Sequence, residues 1–214
     1  VLEIHCAHGY LLHEFLSPLS NHRSDAYGGD RAGRMKHPLE IIETVRAVWP
    51  ADRPLFVRIS SVDGIDGGID IADSVAFVSE AKARGADVID CSSGGLMGSA
   101  TAARIPRGYS FQVPFAEQIR RDAKVTTMAV GLILHPQQAE DILTEDKTDL
   151  IAVGREALFD PNWPLHAELA LSQTKGEIGD GTFASWPKQY GWWLERREPG
   201  LRKLDGPALP FRKA

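Results

Sequence analysis

Two histidines and a tyrosine stand together where a short apolar run ends: His5-Cys6-Ala7-His8-Gly9-Tyr10 closes a segment that begins Val1-Leu2. None of these polar groups helps a hydrophobic core. Together they offer two hydrogen-bond donors and a proton source. In a parallel α/β barrel the carboxyl end of a strand is where chemistry is placed. Two other readings fit the same residues. One is a metal site, for which zinc would want a third protein ligand such as His13 or His22. The other is a polar loop without chemistry, in which Tyr10 is a packed tyrosine.

The second apolar run carries a charge. Alternation along Leu55–Ser60 puts Phe56, Arg58 and Ser60 on one face, opposite Leu55, Val57 and Ile59. A guanidinium on a strand suited to burial needs an anion or a polarisable partner. Asp90 is one candidate, as a structural ion pair; a bound cofactor is another. The third run ends Asp90-Cys91-Ser92-Ser93-Gly94-Gly95, which supplies hydroxyls and open backbone. The fourth ends Ala129-Val130-Gly131-Leu132 and the fifth Ala152-Val153-Gly154-Arg155. Glycines that end strands before helices expose N–H groups able to cradle a phosphate, although they are also ordinary strand-to-loop residues. A phosphate held after the last two strands is a recurring barrel feature. These residues suggest a phosphorylated cofactor with an arginine beside it and a histidine pair facing it.

The elements that must hold these groups follow from periodicity. Apolar, β-branched runs occupy Val1–Ala7, Pro54–Ser61, Val88–Ser93, Thr126–Ile133 and Leu150–Gly154. Amphipathic helical patterns lie between and after them, over Pro38–Val48, Ile69–Ala83, Val113–Asp122, Pro136–Leu143 and Pro161–Ser172. Strand and helix alternate without hairpin signals, which predicts a parallel sheet with crossover helices. Eight βα units need roughly 250 residues, so the span to residue 172 holds about five of them. Either the sheet is open and doubly wound, or these are the last five units of a (β/α)8 barrel. The start at Val1, inside a strand pattern without an initiator methionine, reads as a cut. Residues 173–214 change to a Gly-, Trp- and Arg-rich text and read as an extension packing on the barrel or a partner subunit. Trp186, Trp192 and Trp193 there suit packing or an interface.

Composition excludes several classes. The net charge of −5 over 214 residues argues against nucleic acid or an anionic membrane as the main partner. No apolar run reaches the length of a membrane span, and no signal-peptide pattern is present. Cys6 and Cys91 imply no disulfide framework, and reduced thiols in the cytoplasm are the default. No G-x-G-x-x-G follows a strand, so a separate dinucleotide site is not expected.

The run from His5 through His8-Gly9-Tyr10-Leu11-Leu12-His13-Glu14-Phe15-Leu16-Ser17-Pro18 to Tyr27-Gly28-Gly29 resembles the signature of the old yellow enzyme family. Phe56-Val57-Arg58-Ile59-Ser60, Asp90-x-Ser92-Ser93-Gly94, Ala129-Val130-Gly131-Leu132-Ile133, Val153-Gly154-Arg155 and Asp160-Pro161 match in the same order. That family comprises FMN-dependent ene-reductases on a (β/α)8 barrel, and the histidine pair is similar to its xenobiotic reductase branch. The resemblance implies that His5 and His8 bind the carbonyl or nitro oxygen of an activated alkene and that Tyr10 donates a proton to the α-carbon. It implies that Arg58 lies at the flavin pyrimidine edge, and that Gly131, Gly154 and Arg155 hold the phosphate. It also implies NAD(P)H as reductant and a small electron-poor substrate, with no metal; the aromatic tail points to a homo-oligomer. The rival enzyme reading is a phosphate-binding barrel lyase or isomerase with His5 and His8 as acid and base. The non-enzymatic rival is a half-barrel that folds without cofactor.

Overall fold

The computed structural model describes residues 1–96, 105–173, 182–201 and 203. Five parallel strands form one sheet in sequential order: β1 (Leu2–Cys6), β2 (Leu55–Ser60), β3 (Val88–Ser92), β4 (Thr126–Ala129) and β5 (Leu150–Ile151). Sequential order is what the wall of a (β/α)8 barrel requires. A doubly wound sheet would instead reverse its order at a switch point. The fold is α/β, with the strand arrangement of five consecutive barrel units.

The pleat sorts the strands into two faces. Ile4, Cys6, Val57, Ile59, Ile89, Cys91, Thr127 and Ala129 point one way and are all buried. That face meets the helices that follow the strands: α1 (Leu11–Leu16), α2 (Arg31–Val48), α3 (Ile71–Ala83) and α4 (Val113–Ala123). Helix α4 packs on β3 and β4 and α1 on β1, while Leu39, Ile42, Phe77, Val78, Ala116 and Ile119 bring apolar surface to the interior. Burying each large aliphatic or aromatic side chain stabilises the fold by about 1.5–3 kcal/mol, so this layer fixes the strand register. The opposite face carries Glu3, His5, Phe56, Arg58, Ser60, Asp90 and Ser92. The chemistry-bearing side chains therefore all leave the sheet on the side away from these helices.

Three boundaries differ from the pattern in the sequence. Helix α2 starts at Arg31, with Pro38 inside it. The Asp30 carboxylate caps it by accepting from the Gly33 N–H at 2.8 Å, and Arg34 ties its first turn to the carbonyls of Leu16 and Gly29 at 3.0 and 2.8 Å. Those bonds outweigh the one that the proline cannot make. Strand β4 stops at Ala129 because Gly131 and Leu132 adopt φ of 123° and 51°, which turns the chain out of the sheet. Strand β5 is two residues long, held by the Asp149 carboxylate, which accepts from the Thr127 N–H at 2.9 Å, and by Ala152 N–H donating to the Ala129 carbonyl at 2.8 Å.

The chain divides into two compact units, Val1–Ile133 with Asp141–Ala152 and Leu134–Glu140 with Val153–Ala214. Helix α5 (Pro136–Thr144) has residues in both. Described residues of the second unit include α6 (Arg155–Phe159), α7 (Trp163–Gln173) and α8 (Lys188–Leu201). Within it Trp163 donates its ring N–H to the Leu134 carbonyl at 2.8 Å, and His166 pairs with Asp160 at 2.6 Å while its ring lies 5.4 Å from that of Trp186. Trp192 and Trp193 form an edge-on pair with Arg196 over the Trp192 face at 3.7 Å, a cation–π contact. Among the described residues no helix is long and apolar enough to cross a membrane.

Candidate active site

Strand β1 aims His5 outward on the polar face, in register with Arg58, Asp90 and Met128 of the next three strands. Beyond Cys6 the chain reverses sharply. His8 has φ of 61° and Gly9 of 77°, two successive left-handed residues. For a histidine this conformation costs roughly 1–2 kcal/mol. The His8 N–H donates to Ser60 Oγ at 3.0 Å, and the ring Nε2 lies 2.7 Å from Ser92 Oγ. Gly9 is needed for closeness as well as for φ: a Cβ there would stand 2.6 Å from the Gly95 carbonyl oxygen. The reversal brings the three rings together. His5 lies 5.2 Å from His8 and 5.5 Å from Tyr10, centroid to centroid. Tyr10 is the N-cap of α1 and makes no side-chain cap bond, and the residue is 65% exposed. Its phenol is thus spent neither on the core nor on the helix end.

Charge on this face is arranged around Arg58. Its Nη1 lies 3.3 Å from Asp90 Oδ2, so the contact weighed from the sequence is in place, a full ion pair only once Asp90 loses its proton. It leaves two groups over: Arg58 Nε and Asp90 Oδ1 are buried without a hydrogen-bond partner. Burial pushes the Asp90 carboxyl up to about 7, with Arg58 pulling the other way and Glu3 adding to the rise. Burial also pushes His8 down to about 4, helped by the charges of Arg58, His5 and His13. His5 is lowered by the same causes, burial first and Arg58 next. Both histidines are therefore neutral imidazoles near pH 7, each with one ring N–H to give.

Several residues support these side chains, and one of them, Gln112, escapes a reading of the sequence. Ser60 Oγ accepts from His8 and donates to the Gly94 carbonyl at 2.7 Å. Ser92 faces the His8 ring. Gln112, at the N-cap of α4, accepts from Ser93 Oγ at 2.5 Å and donates to the Val130 carbonyl at 3.0 Å. The serines share the face of Arg58 by strand alternation, which is a legible signal; Gln112 has none. His13 is also committed, because Nδ1 accepts from the Gly9 N–H at 2.8 Å and Nε2 donates to Asp63 at 2.8 Å. His13 therefore keeps no ring nitrogen for zinc.

The glycines expected at a phosphate divide between the two units. Gly131 belongs to the first, where a Cβ would come within 2.8 Å of both Gln112 Nε2 and the Phe111 ring. Gly154 and the exposed Arg155 belong to the second, at the start of α6. A Cβ at Gly154 would meet nothing within 4 Å, so packing inside the chain does not call for glycine there.

The sequence model of the NADH:flavin oxidoreductase / NADH oxidase family matches residues 1–173. The chain belongs to this family. Among its relatives, the NADPH dehydrogenase of Bacillus velezensis is 50% identical over 178 residues, covering 83% of this chain and 50% of the relative. That of Halalkalibacterium halodurans is 46% identical over 190 residues, covering 89% and 52%. This NADH:flavin oxidoreductase family chain thus spans about half the length of the curated relatives it matches. Its fold is shared with a 2-naphthoyl-CoA reductase solved with 2-naphthoyl-CoA (TM-score 0.68, 25% identity, 76% of this chain and 25% of the other). It is shared too with morphinone reductase in complex with tetrahydroNAD (TM-score 0.61, 22% identity, 86% and 49%).

Proposed function

We propose that this chain forms the substrate-activating part of an FMN-dependent NAD(P)H oxidoreductase that reduces electron-poor C=C bonds or nitro compounds. The observation that carries this reading is the convergence of His5, His8 and Tyr10 at the end of β1, on the face where Arg58 keeps a buried, unpartnered N–H. A flavin suits that orphan donor, since its pyrimidine edge is lined with acceptors, and a guanidinium there favours negative charge on the ring. Backbone N–H groups would hold the FMN phosphate, and Gly131 is the candidate for this in the first unit. When bound and reduced by NAD(P)H, the cofactor supplies a hydride for an electron-poor carbon. The chain's own residues do the rest. His5 and His8, as neutral donors, bind the carbonyl or nitro oxygen and stabilise the charge that develops on it. One such preorganised donor typically contributes about 2.7–4 kcal/mol. Tyr10, exposed and uncommitted, delivers the proton to the α-carbon.

A barrel lyase using His8 as acid fits less well, because a histidine pushed down to about 4 is not an imidazolium near neutrality and its remaining ring N–H donates a hydrogen bond without acting as a general acid. Self-association belongs to the same proposal: Tyr190, Trp192 and Trp193 leave large aromatic area exposed on α8. So does a cytoplasmic location, supported by the two free, buried thiols Cys6 and Cys91. The test is the visible absorption spectrum of the intact protein before and after anaerobic addition of NADPH and NADH. A flavin band that bleaches with either nucleotide and returns on addition of an enone supports the reading. A protein that stays colourless after FMN is added contradicts it.

A further inference from the structure

The turn that carries His8 and Tyr10 is held from below by a buried relay whose members have no assigned role. Helix α1 begins with Tyr10 as its N-cap, a position at which Ser, Thr, Asp or Asn normally satisfies a free N–H of the first turn. Tyrosine cannot do so. The third residue of the helix, His13, reaches back instead: its Nδ1 accepts the N–H of Gly9, the residue between His8 and Tyr10, at 2.8 Å. Because Nδ1 is the acceptor, the ring proton sits on Nε2, which donates to Asp63 Oδ1 at 2.8 Å. The other oxygen, Asp63 Oδ2, accepts from Ser17 Oγ and from the Ile69 N–H, each at 2.7 Å. The side chains of His13 and Asp63 are wholly buried. Burial alone would raise the Asp63 carboxyl; the bonds from His13, Ser17 and Ile69 bring it below its ordinary value and keep it an anion. A buried anion thus orients an imidazole, and the imidazole lone pair orients the peptide from which both site side chains diverge.

We propose that His13 is a positioning residue, its Nδ1 fixing the Gly9 peptide so that His8 and Tyr10 address the same bound substrate, with Asp63 setting the ring's tautomer. The proposal rests on the oxidoreductase reading for what the turn binds, and on geometry alone for what holds the turn. The bland alternative is that His13 serves only to satisfy Asp63. Two amide variants separate the two roles. In asparagine the amide oxygen hangs one bond from Cγ, as Nδ1 does. His13→Asn keeps an acceptor for Gly9 and leaves Asp63 Oδ1 without its donor. Glutamine carries its amide one carbon further, near the place of Nε2. His13→Gln keeps the donor to Asp63 and withdraws the acceptor from Gly9.

The experiment measures thermal stability and the affinity of 4-hydroxybenzaldehyde, read from its perturbation of the flavin band, in the intact flavin-loaded protein. Exchange of the Gly9 amide proton is followed alongside by nitrogen-15 NMR. We expect His13→Gln to melt near the parent, to exchange Gly9 faster and to bind the phenol more weakly, by up to about 10²-fold for a displacement near 1 Å. We expect His13→Asn to melt lower while protecting Gly9 and retaining most of the phenol affinity. A folded His13→Gln that protects Gly9 and binds phenol like the parent overturns the proposal, as does a folded His13→Asn that loses both. If the parent binds neither flavin nor phenol, the oxidoreductase reading has failed, and the Gly9 exchange rates in the two variants still decide the role of His13.

Discussion

Substitution of Ser92 by alanine tests how His8 is prepared to donate. His8 is neutral near pH 7 and has a single ring proton, which sits on one nitrogen or the other. Ser92 Oγ lies 2.7 Å from His8 Nε2 and 3.4 Å from Gln112 Oε1, and the latter oxygen is already taken by Ser93 Oγ at 2.5 Å. The contact to Nε2 is the shorter of the two, and we take Ser92 to donate along it, which leaves the ring proton on Nδ1. That N–H is then the one available to a substrate oxygen. Ser92→Ala removes a neutral hydrogen bond worth about 0.5–1.5 kcal/mol and lets the two tautomers equilibrate. The phenol affinity should fall by roughly two- to twelvefold, with flavin content unchanged. The assay is a phenol titration followed in the flavin band, paired with nitrogen-15 NMR of the His8 ring. An unaltered affinity, or a parent His8 protonated on Nε2, refutes the reasoning.

Two predictions concern pH and one concerns the thiols. Folded His8 stays neutral down to about 4, whereas the unfolded residue takes up a proton near its ordinary 6.5, so the folded state loses stability as pH falls through that window. His8→Asn should therefore lose less melting temperature than the parent between about pH 7 and 5; parallel slopes would show that His8 carries no such linkage. Asp90 has the opposite sign: its folded carboxyl stays protonated up to about 7 against an ordinary 3.8, and the stability it contributes in acid is lost as pH rises through 7. Asp90→Asn should flatten the decline between about pH 4 and 7, checked by thermal melts across that range, and an unchanged decline would contradict the buried-carboxyl account. Cys6 and Cys91 are buried and both thiols are pushed up by burial, Cys6 to about 12. An aromatic disulfide reagent should label neither until the protein unfolds, and rapid labelling of the native chain would refute their burial.

The fold was legible wherever the pleat alone decides. Alternation along Leu55–Ser60 assigns Arg58 and Ser60 to one face, and the register places His5 and Asp90 beside Arg58 on that face. The cluster of His5, His8 and Tyr10 was legible because its members are neighbours in the chain. What escaped is what long-range contacts decide. Ser92 meets His8 across 84 positions and Asp63 meets His13 across 50, so no local pattern announces either. His13 looked like a spare metal ligand because the sequence cannot show where its two nitrogens are spent. Pro38 looked like the first residue of a helix because proline suits that place. The Asp30 cap and the anchors of Arg34 start α2 seven residues earlier, at Arg31. Gly131 and Leu132 lie inside the apolar run Thr126–Ile133, and only their positive φ ends β4 before them.

The central claim is that His5 and His8 clamp a substrate oxygen beside a bound flavin. The measurement that tests it most directly is flavin occupancy and phenol affinity in His5→Ala and His8→Ala, against the intact parent protein. The account predicts full flavin occupancy in both variants, with phenol binding weakened and enone reduction slowed. Loss of the flavin from both variants, or undiminished phenol binding in both, would contradict it.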